Sequence, residues 1–271
     1  MEPNKPVNPY QSPSVEVMSA SQEENAEFIA DGRTVPAGNG LSWIGTGWGI
    51  FTQSPIAWIV SAVILIVISI ALGFVPILGN IISYILFSVF AGGLMLGCQA
   101  QHEGRPFEIG DLFAGFKEKV GPLILVGVLF IAAMLVLLLI AAVLFGVFLG
   151  STGVLTGLMS GDPDAFGKLM AGSIAALVLI GLVILALYVP IAMAFWFAPS
   201  LVALQDVAPV AALRISFFAC LKNFLPFLLY GVVFLVIAFI AILPFGLGIL
   251  VAFPLLYAST YAAYRDIFLA E

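Results

Sequence analysis

Charged side chains stop at Arg33 and do not return until Glu103. The same silence holds between Lys119 and Asp162, between Lys168 and Asp206, and between Lys222 and Arg265. Within these runs apolar residues follow one another without the alternation of a half-buried strand, as in "AAMLVLLLIAAVLF" at 132–145. A β-barrel would alternate over segments of about 10 residues. A bilayer core is about 30 Å thick and takes about 20 apolar residues of helix to cross. The pattern therefore predicts an all-α, polytopic membrane protein with six transmembrane helices, near 55–75, 79–100, 121–149, 170–203, 224–243 and 247–265. The short links "FVPILGN" (74–80) and "LPFGLG" (243–248) carry the proline and glycine that punctuate helices, so they make antiparallel hairpins. A longer segment, 150–169, joins the third and fourth spans. Pro190 and Pro199 fall in the fourth run, which exceeds one crossing; a kink near Pro190 or an end emerging from the bilayer would absorb the excess.

Three of these spans are introduced by a shorter periodic segment. Ile109, Leu112, Phe113, Phe116 and Val120 recur at helical spacing, with Glu108, Asp111 and Glu118 mostly on the other side. Over 209–221, Val210, Leu213, Phe217 and Leu221 share a face that excludes Arg214. Asp206 is placed to cap this second helix, and Pro209 suits its first turn. Both segments then reach a lysine and a proline: Lys117 before Pro122, and Lys222 before Pro226. A weaker copy, "LSWIGTGWGIFTQSP" (41–55), has Trp43, Trp48 and Phe51 before Pro55 and lacks the lysine. Each segment reads as an amphipathic helix lying in the headgroup layer, with its lysine snorkelling to phosphates and proline starting the next helix at a new angle. The chain is thus three hairpins, each preceded by an interfacial helix.

Charge adds orientation. With six spans, Lys5, Arg33, Arg105, Lys117, Lys119, Arg214, Lys222 and Arg265 lie on one side and only Lys168 on the other. The bias of Lys and Arg to the inner face makes both termini cytoplasmic. Residues 1–40 hold six acids against Lys5 and Arg33, are poor in large apolar side chains, and are expected to form a disordered acidic cytoplasmic tail ahead of a transmembrane domain, 41–271. The tail has no basic region followed by an early apolar stretch, so no signal peptide is expected. Its "NPYQSP" (8–13) is a candidate docking peptide for a protein partner, centred on Tyr10. With 9% charged residues and a net charge of −6, nucleic acid is excluded as a partner. Cys98 and Cys220 stand at the ends of apolar segments and read as small packing residues.

The stretches "VPAGNGLSWIGTGWGIF" (35–51), "EIGDLFAGFKEKVGPLILVG" (108–127) and "APVAALRISFFACLKNFLPFLLYG" (208–231) resemble an uncharacterised family of bacterial six-span inner-membrane proteins. They are more distantly similar to the membrane domain attached to some glycerophosphodiester phosphodiesterases. The resemblance implies six helices and cytoplasmic termini. It carries no catalytic residue, because that membrane domain is not the catalytic part of those enzymes.

Candidate chemistry is sparse. His102 sits in a loop with Glu103 and Glu108 and reads as an ordinary loop residue rather than a metal ligand. No nucleophile elbow or phosphate-cradling glycine loop occurs. No span has an ionisable Asp, Glu, Lys, Arg or His at its centre, which argues against a proton-driven pump. Ser61, Ser69, Ser83, Ser88, Ser173 and Thr260 are expected to bond to their own helices. Tyr257, Tyr261 and Tyr264 form a stripe read as an interfacial aromatic belt. "GLMLG" (93–97) and "GVFLG" (146–150) have the spacing that lets helices approach closely. The expectation is a protein with no catalytic, cofactor-binding or metal residues and no cofactor. It would be a non-enzymatic membrane protein that acts by packing, contact with membrane lipids or recruitment of a partner through its tail. The alternative is a transporter or channel for an apolar or zwitterionic solute such as a lipid.

Overall fold

The computed structural model describes residues 27–151, 154–161, 164, 167 and 174–270. Tyr10, Lys168, Ser173 and part of the 150–169 connection lie outside the described residues. In chain order the helices are α1 (Asn39–Gln53), α2 (Pro55–Gly73), α3 (Leu78–His102), a 3-10 helix (Ile109–Phe113), α4 (Ala114–Glu118), α5 (Val120–Ser151), α6 (Val154–Met159), α7 (Ile174–Trp196), α8 (Ala198–Gln205), α9 (Pro209–Lys222), α10 (Phe224–Ile242) and α11 (Ile249–Phe268). Among the described residues the one departure from all-α is a two-residue ladder, β1 (Glu27–Phe28) antiparallel to β2 (Leu269–Ala270).

Among the described residues, five helices are long and apolar enough to cross a membrane: Pro55–Gly73, Leu78–His102, Val120–Gly150, Ala176–Gln205 and Phe224–Ile242. The sixth expected crossing is also a helix, α11. Its second half carries Ser259, Thr260, Tyr261, Tyr264, Arg265 and Asp266, which make it too polar to count with the others. It is instead the most enclosed helix, buried almost continuously from Ala252 to Phe268. The fourth run stays helical through Pro190 and breaks at Phe197, just ahead of Pro199, where α8 begins. Proline at the second position of a helix removes an N–H that has no partner there anyway.

The repeated unit is visible as packing. Each short amphipathic element lies against the second helix of a hairpin. The 3-10 helix and α4 lie on α3, α9 lies on α7, and α1 lies on α11, which closes the set into a ring. Small residues make these approaches. A Cβ on Gly115 would come 2.2 Å from the Val89 carbonyl oxygen, and one on Gly93 would come 2.6 Å from that of Leu112. A Cβ on Gly47 would come 2.6 Å from the Ser259 nitrogen. On α9 the contact face is Ala212, Ser216 and Ala219; the Ser216 hydroxyl donates to the Met193 carbonyl and accepts from the Phe197 N–H. Of the two small-residue motifs, "GLMLG" is thus used, since Gly93 and Gly97 seat the second amphipathic element. "GVFLG" is not: Gly146 and Gly150 face open space.

Several local expectations change in this setting. Asp206 does not cap α9, which starts from Ala208 without a side-chain cap. It ends α8 in the left-handed conformation, φ 55°, and its carboxylate pairs with Lys119. Lys222 does not extend freely; its ammonium donates to the Asp31 carbonyl at 2.9 Å. Residues 27–38, within the segment expected to be a disordered tail, are described, and they run along the end of α11. The Ile29 and Arg33 N–H groups donate to the Phe268 and Ile267 carbonyls, both at 2.8 Å. Asn223 fixes the same segment. Its Oδ1 accepts from the Val35 N–H, and its Nδ2 donates to the carbonyls of Arg33 and Ala219.

Candidate functional site

Ion pairs and hydrogen bonds gather the charged residues into one layer at this end of the bundle. Arg33 pairs with Asp266, Lys119 with Asp206, and Arg105 with Asp111 at 2.7 Å. The Asp111 carboxylate also accepts from the Glu108 N–H, closing a capping box on the 3-10 helix. Its own hydrogen bond to Asp111 holds the Arg105 guanidinium above its usual pKa range. On α9, burial pushes the Cys220 thiol up to about 12, against a hydrogen bond with Ser216 that lowers it. Both cysteines are free and buried, as packing residues should be.

Within the layer lies a polar groove of about 580 Å³ between α1, the end of α3 and the end of α11. Helix α1 contributes Asn39, Ser42, Thr46, Gly49 and Gln53, residues that recur every three or four positions and so share one face. Tyr261, Arg265 and Asp266 come from α11, His102 from α3 and Arg33 from the segment before α1. Asp266 organises one end. Its carboxylate accepts from Arg33 at 3.3 Å, from Asn39 Nδ2 at 2.8 Å and from the buried Trp43 Nε1 at 2.8 Å. At the other end Arg265 contacts the His102 ring. Beneath, Gln101 accepts from Trp58 Nε1 at 3.0 Å and donates to the Ile50 carbonyl at 3.1 Å, which pins the end of α1 to α3. Arg33 and Arg265 bring guanidinium groups to the groove, and Asp266 brings the carboxylate with which Arg33 pairs. The hydroxyls and amide of Ser42, Thr46 and Gln53 supply further donors, an arrangement suited to an anion.

His102 is thus a groove residue rather than a bystander in a loop. Among the described residues no group of three or more His, Cys, Asp or Glu is placed to hold a metal ion. The tyrosine stripe is not a lipid-facing belt. Tyr257, Tyr261 and Tyr264 are 7%, 3% and 1% exposed, because α1, α2, α3 and α10 pack against α11. Tyr261 lines the groove and Tyr264 accepts from Gln205 Nε2 at 2.7 Å. Ser69, Ser83 and Thr260 bond to their own helices as expected, whereas the buried hydroxyls of Ser61 and Ser88 have no hydrogen-bond partner among the described residues. Ser69, Ser83 and Phe87 line two apolar clefts of about 380 and 300 Å³, one between α2, α3 and α11 and the other between α3, α5 and the α7–α8 break.

The groove escaped the sequence pattern because its residues come from three distant stretches, 33–53, 102 and 261–266. One signal was present: "NGLSWIGTGWGIFTQ" places Asn, Ser, Thr and Gln on a single helical face.

No family model and no solved structure matches the chain. A probable inner membrane protein of Burkholderia thailandensis is 31% identical to it over 260 residues, covering 86% of this chain and 92% of that protein.

Proposed function

The chain belongs to the family of that probable bacterial inner membrane protein, and from this premise we propose a non-enzymatic protein that crosses the cytoplasmic membrane six times and works by contact with lipid. Helix α11 is the sixth crossing. Its polar side chains face protein rather than hydrocarbon, which removes most of their insertion cost. Both termini and the charged layer are cytoplasmic, by the bias of Lys and Arg to that face. The three amphipathic elements then lie at the inner headgroup level, and the N-terminal tail, on the cytosolic side, recruits a partner.

The observation that carries this reading is the groove lined by Arg33, Arg265 and polar side chains at the level of the amphipathic helices, with apolar clefts opening between the helices below it. Anionic headgroups meet cationic side chains there, and acyl chains meet apolar walls. The clefts sharing Ser69, Ser83 and Phe87 favour a second reading, a passage for lipid or another apolar or zwitterionic solute.

Gentle extraction followed by mass spectrometry of co-purified lipids and proteins, paired with flux measurements in liposomes, separates the two. Retained phospholipid without flux is expected. Specific movement of a lipid or solute across the bilayer would replace the first reading with the second, and purification without retained lipid would count against both.

A further inference from the structure

Ser88 lines the cleft of about 300 Å³ between α3, α5 and the α7–α8 break. It is 5% exposed, and its hydroxyl has no hydrogen-bond partner among the described residues. A serine in a membrane helix ordinarily donates to the carbonyl four residues back, as Ser69 and Ser83 do in the same cleft. None of the described residues that line this cleft is charged. Tyr84 and Phe195 flank Phe130, with ring centroids 5.9 and 5.1 Å from it. Gly127 fixes one wall. A Cβ there would come 2.7 Å from the Ile85 Cα, so α5 and α3 touch backbone to backbone. Ser88 and Val126 are buried at the floor, whereas the exposed Tyr84 and Phe87 stand at the mouth. Ser69, Ser83 and Phe87 also line the second cleft, of about 380 Å³, so the two are continuous.

The geometry points to an isoprenoid quinone bound from within the bilayer. Its ring lies among Tyr84, Phe130 and Phe195, one carbonyl accepts from the Ser88 hydroxyl, and its chain leads past Phe87 into the second cleft. Clefts of this size match ligand pockets of about 300–1,000 Å³. The uncharged lining selects a neutral ligand. A buried hydroxyl without an acceptor costs free energy, which a quinone carbonyl relieves. A flat conjugated ring suits aromatic walls, which favour offset and edge-on contacts. Depth separates a quinone from a phospholipid. In the proposed orientation Leu78 begins α3 at the outer surface. Ser88 lies ten residues further along, about 15 Å down at about 1.5 Å per residue. That is the middle of a hydrocarbon core about 30 Å thick. Headgroups hold the ester carbonyls of a phospholipid at the edge of this core, whereas a quinone carries no such anchor and reaches the centre. Such a ligand lies beyond the phospholipid contact proposed above and shares with it only the six-crossing placement.

The test uses the full-length protein in mild-detergent micelles with decylubiquinone as the probe, binding measured by equilibrium gel filtration and folding by thermal melting. Saturable binding is expected. Ser88→Ala is expected to weaken it on the order of tenfold, equivalent to about 1.4 kcal/mol. Its melting temperature should not fall, because the hydroxyl removed bonds to none of the described residues. Ser83→Ala alters the same cleft, but that hydroxyl is committed to the Gly79 carbonyl, so this variant is expected to bind like the wild type. Decylbenzene, with a ring and chain but no carbonyl, should bind the wild type on the order of tenfold more weakly than the quinone, a comparison that needs no variant. Equal quinone binding by wild type and Ser88→Ala would overturn the carbonyl contact and the site with it. Decylbenzene binding as tightly as the quinone would mark a plain apolar cleft and also overturn it. Displacement of the quinone by phosphatidylglycerol at matched mole fraction would assign the clefts to acyl chains instead. Absence of saturable quinone binding would sink the quinone site alone, since retained phospholipid, scored separately, decides the lipid-contact reading.

Discussion

Replacing Asn223 with leucine is expected to lower the unfolding free energy by about 3 kcal/mol. The side chain is fully buried and serves three backbone groups at once: the Val35 N–H and the carbonyls of Arg33 and Ala219. Leucine is similar in size and removes all three bonds. The Val35 N–H then loses its acceptor in an enclosed site, and such a loss costs about 1–3 kcal/mol for a buried group. The damage should be local first. Backbone amides of residues 32–38 should exchange faster than in the wild type, while those in the middle of α3 keep their protection. The variant can be compared with wild type by titration with denaturing detergent in mixed micelles. An unchanged midpoint would mean that residues 27–38 are not held on the bundle through Asn223.

The second large effect separates two glycines on one helix. Gly47→Leu is expected to cost about 3 kcal/mol or more, because overpacking against rigid backbone leaves no rotamer that escapes the clash. Its Cβ would lie 2.6 Å from the Ser259 nitrogen and 2.8 Å from the Ser259 Cα, so α1 must lift off α11. That movement would also part Trp43 from Asp266. Gly49→Leu, two residues on, meets nothing within 4 Å and replaces a poor helix former with a good one. Its stability should match or slightly exceed the wild type. Expression yield and melting in detergent measure both, and equal melting of the two variants would contradict the packing of α1 on α11.

The helices themselves were legible because the gaps between charged residues are a property of composition along the chain. Bilayer thickness turns each gap into a crossing. The three amphipathic segments were legible for a related reason: their periodicity is local. What they pack against is not local. Trp43 meets Asp266, 223 residues away, so no neighbouring pattern announces that α11 is covered by α1. The same gap explains the tyrosines. A stripe at 257, 261 and 264 looks identical whether it faces headgroups or protein, and only the ring of amphipathic helices decides the matter. Asp206 stood two residues before Ala208, the residue from which α9 starts, and so looked like its cap, yet the chain uses it to end α8 and to receive Lys119 from the start of the same hairpin, 87 residues earlier. The polar groove was only half legible. Its α1 face is written in one peptide, whereas Arg33, His102 and Arg265 meet it through tertiary structure.

Impermeant thiol labelling of intact bacteria tests the six-crossing account most directly. Cys98 and Cys220 are replaced by serine, and single cysteines are placed at positions 214, 246 and 270. The account predicts labelling of position 246 from outside, and of positions 214 and 270 only after the membrane is permeabilised. Labelling of position 270 in intact cells would mean that α11 does not cross, that five helices span the membrane, and that the charged groove is not assembled on the cytoplasmic face.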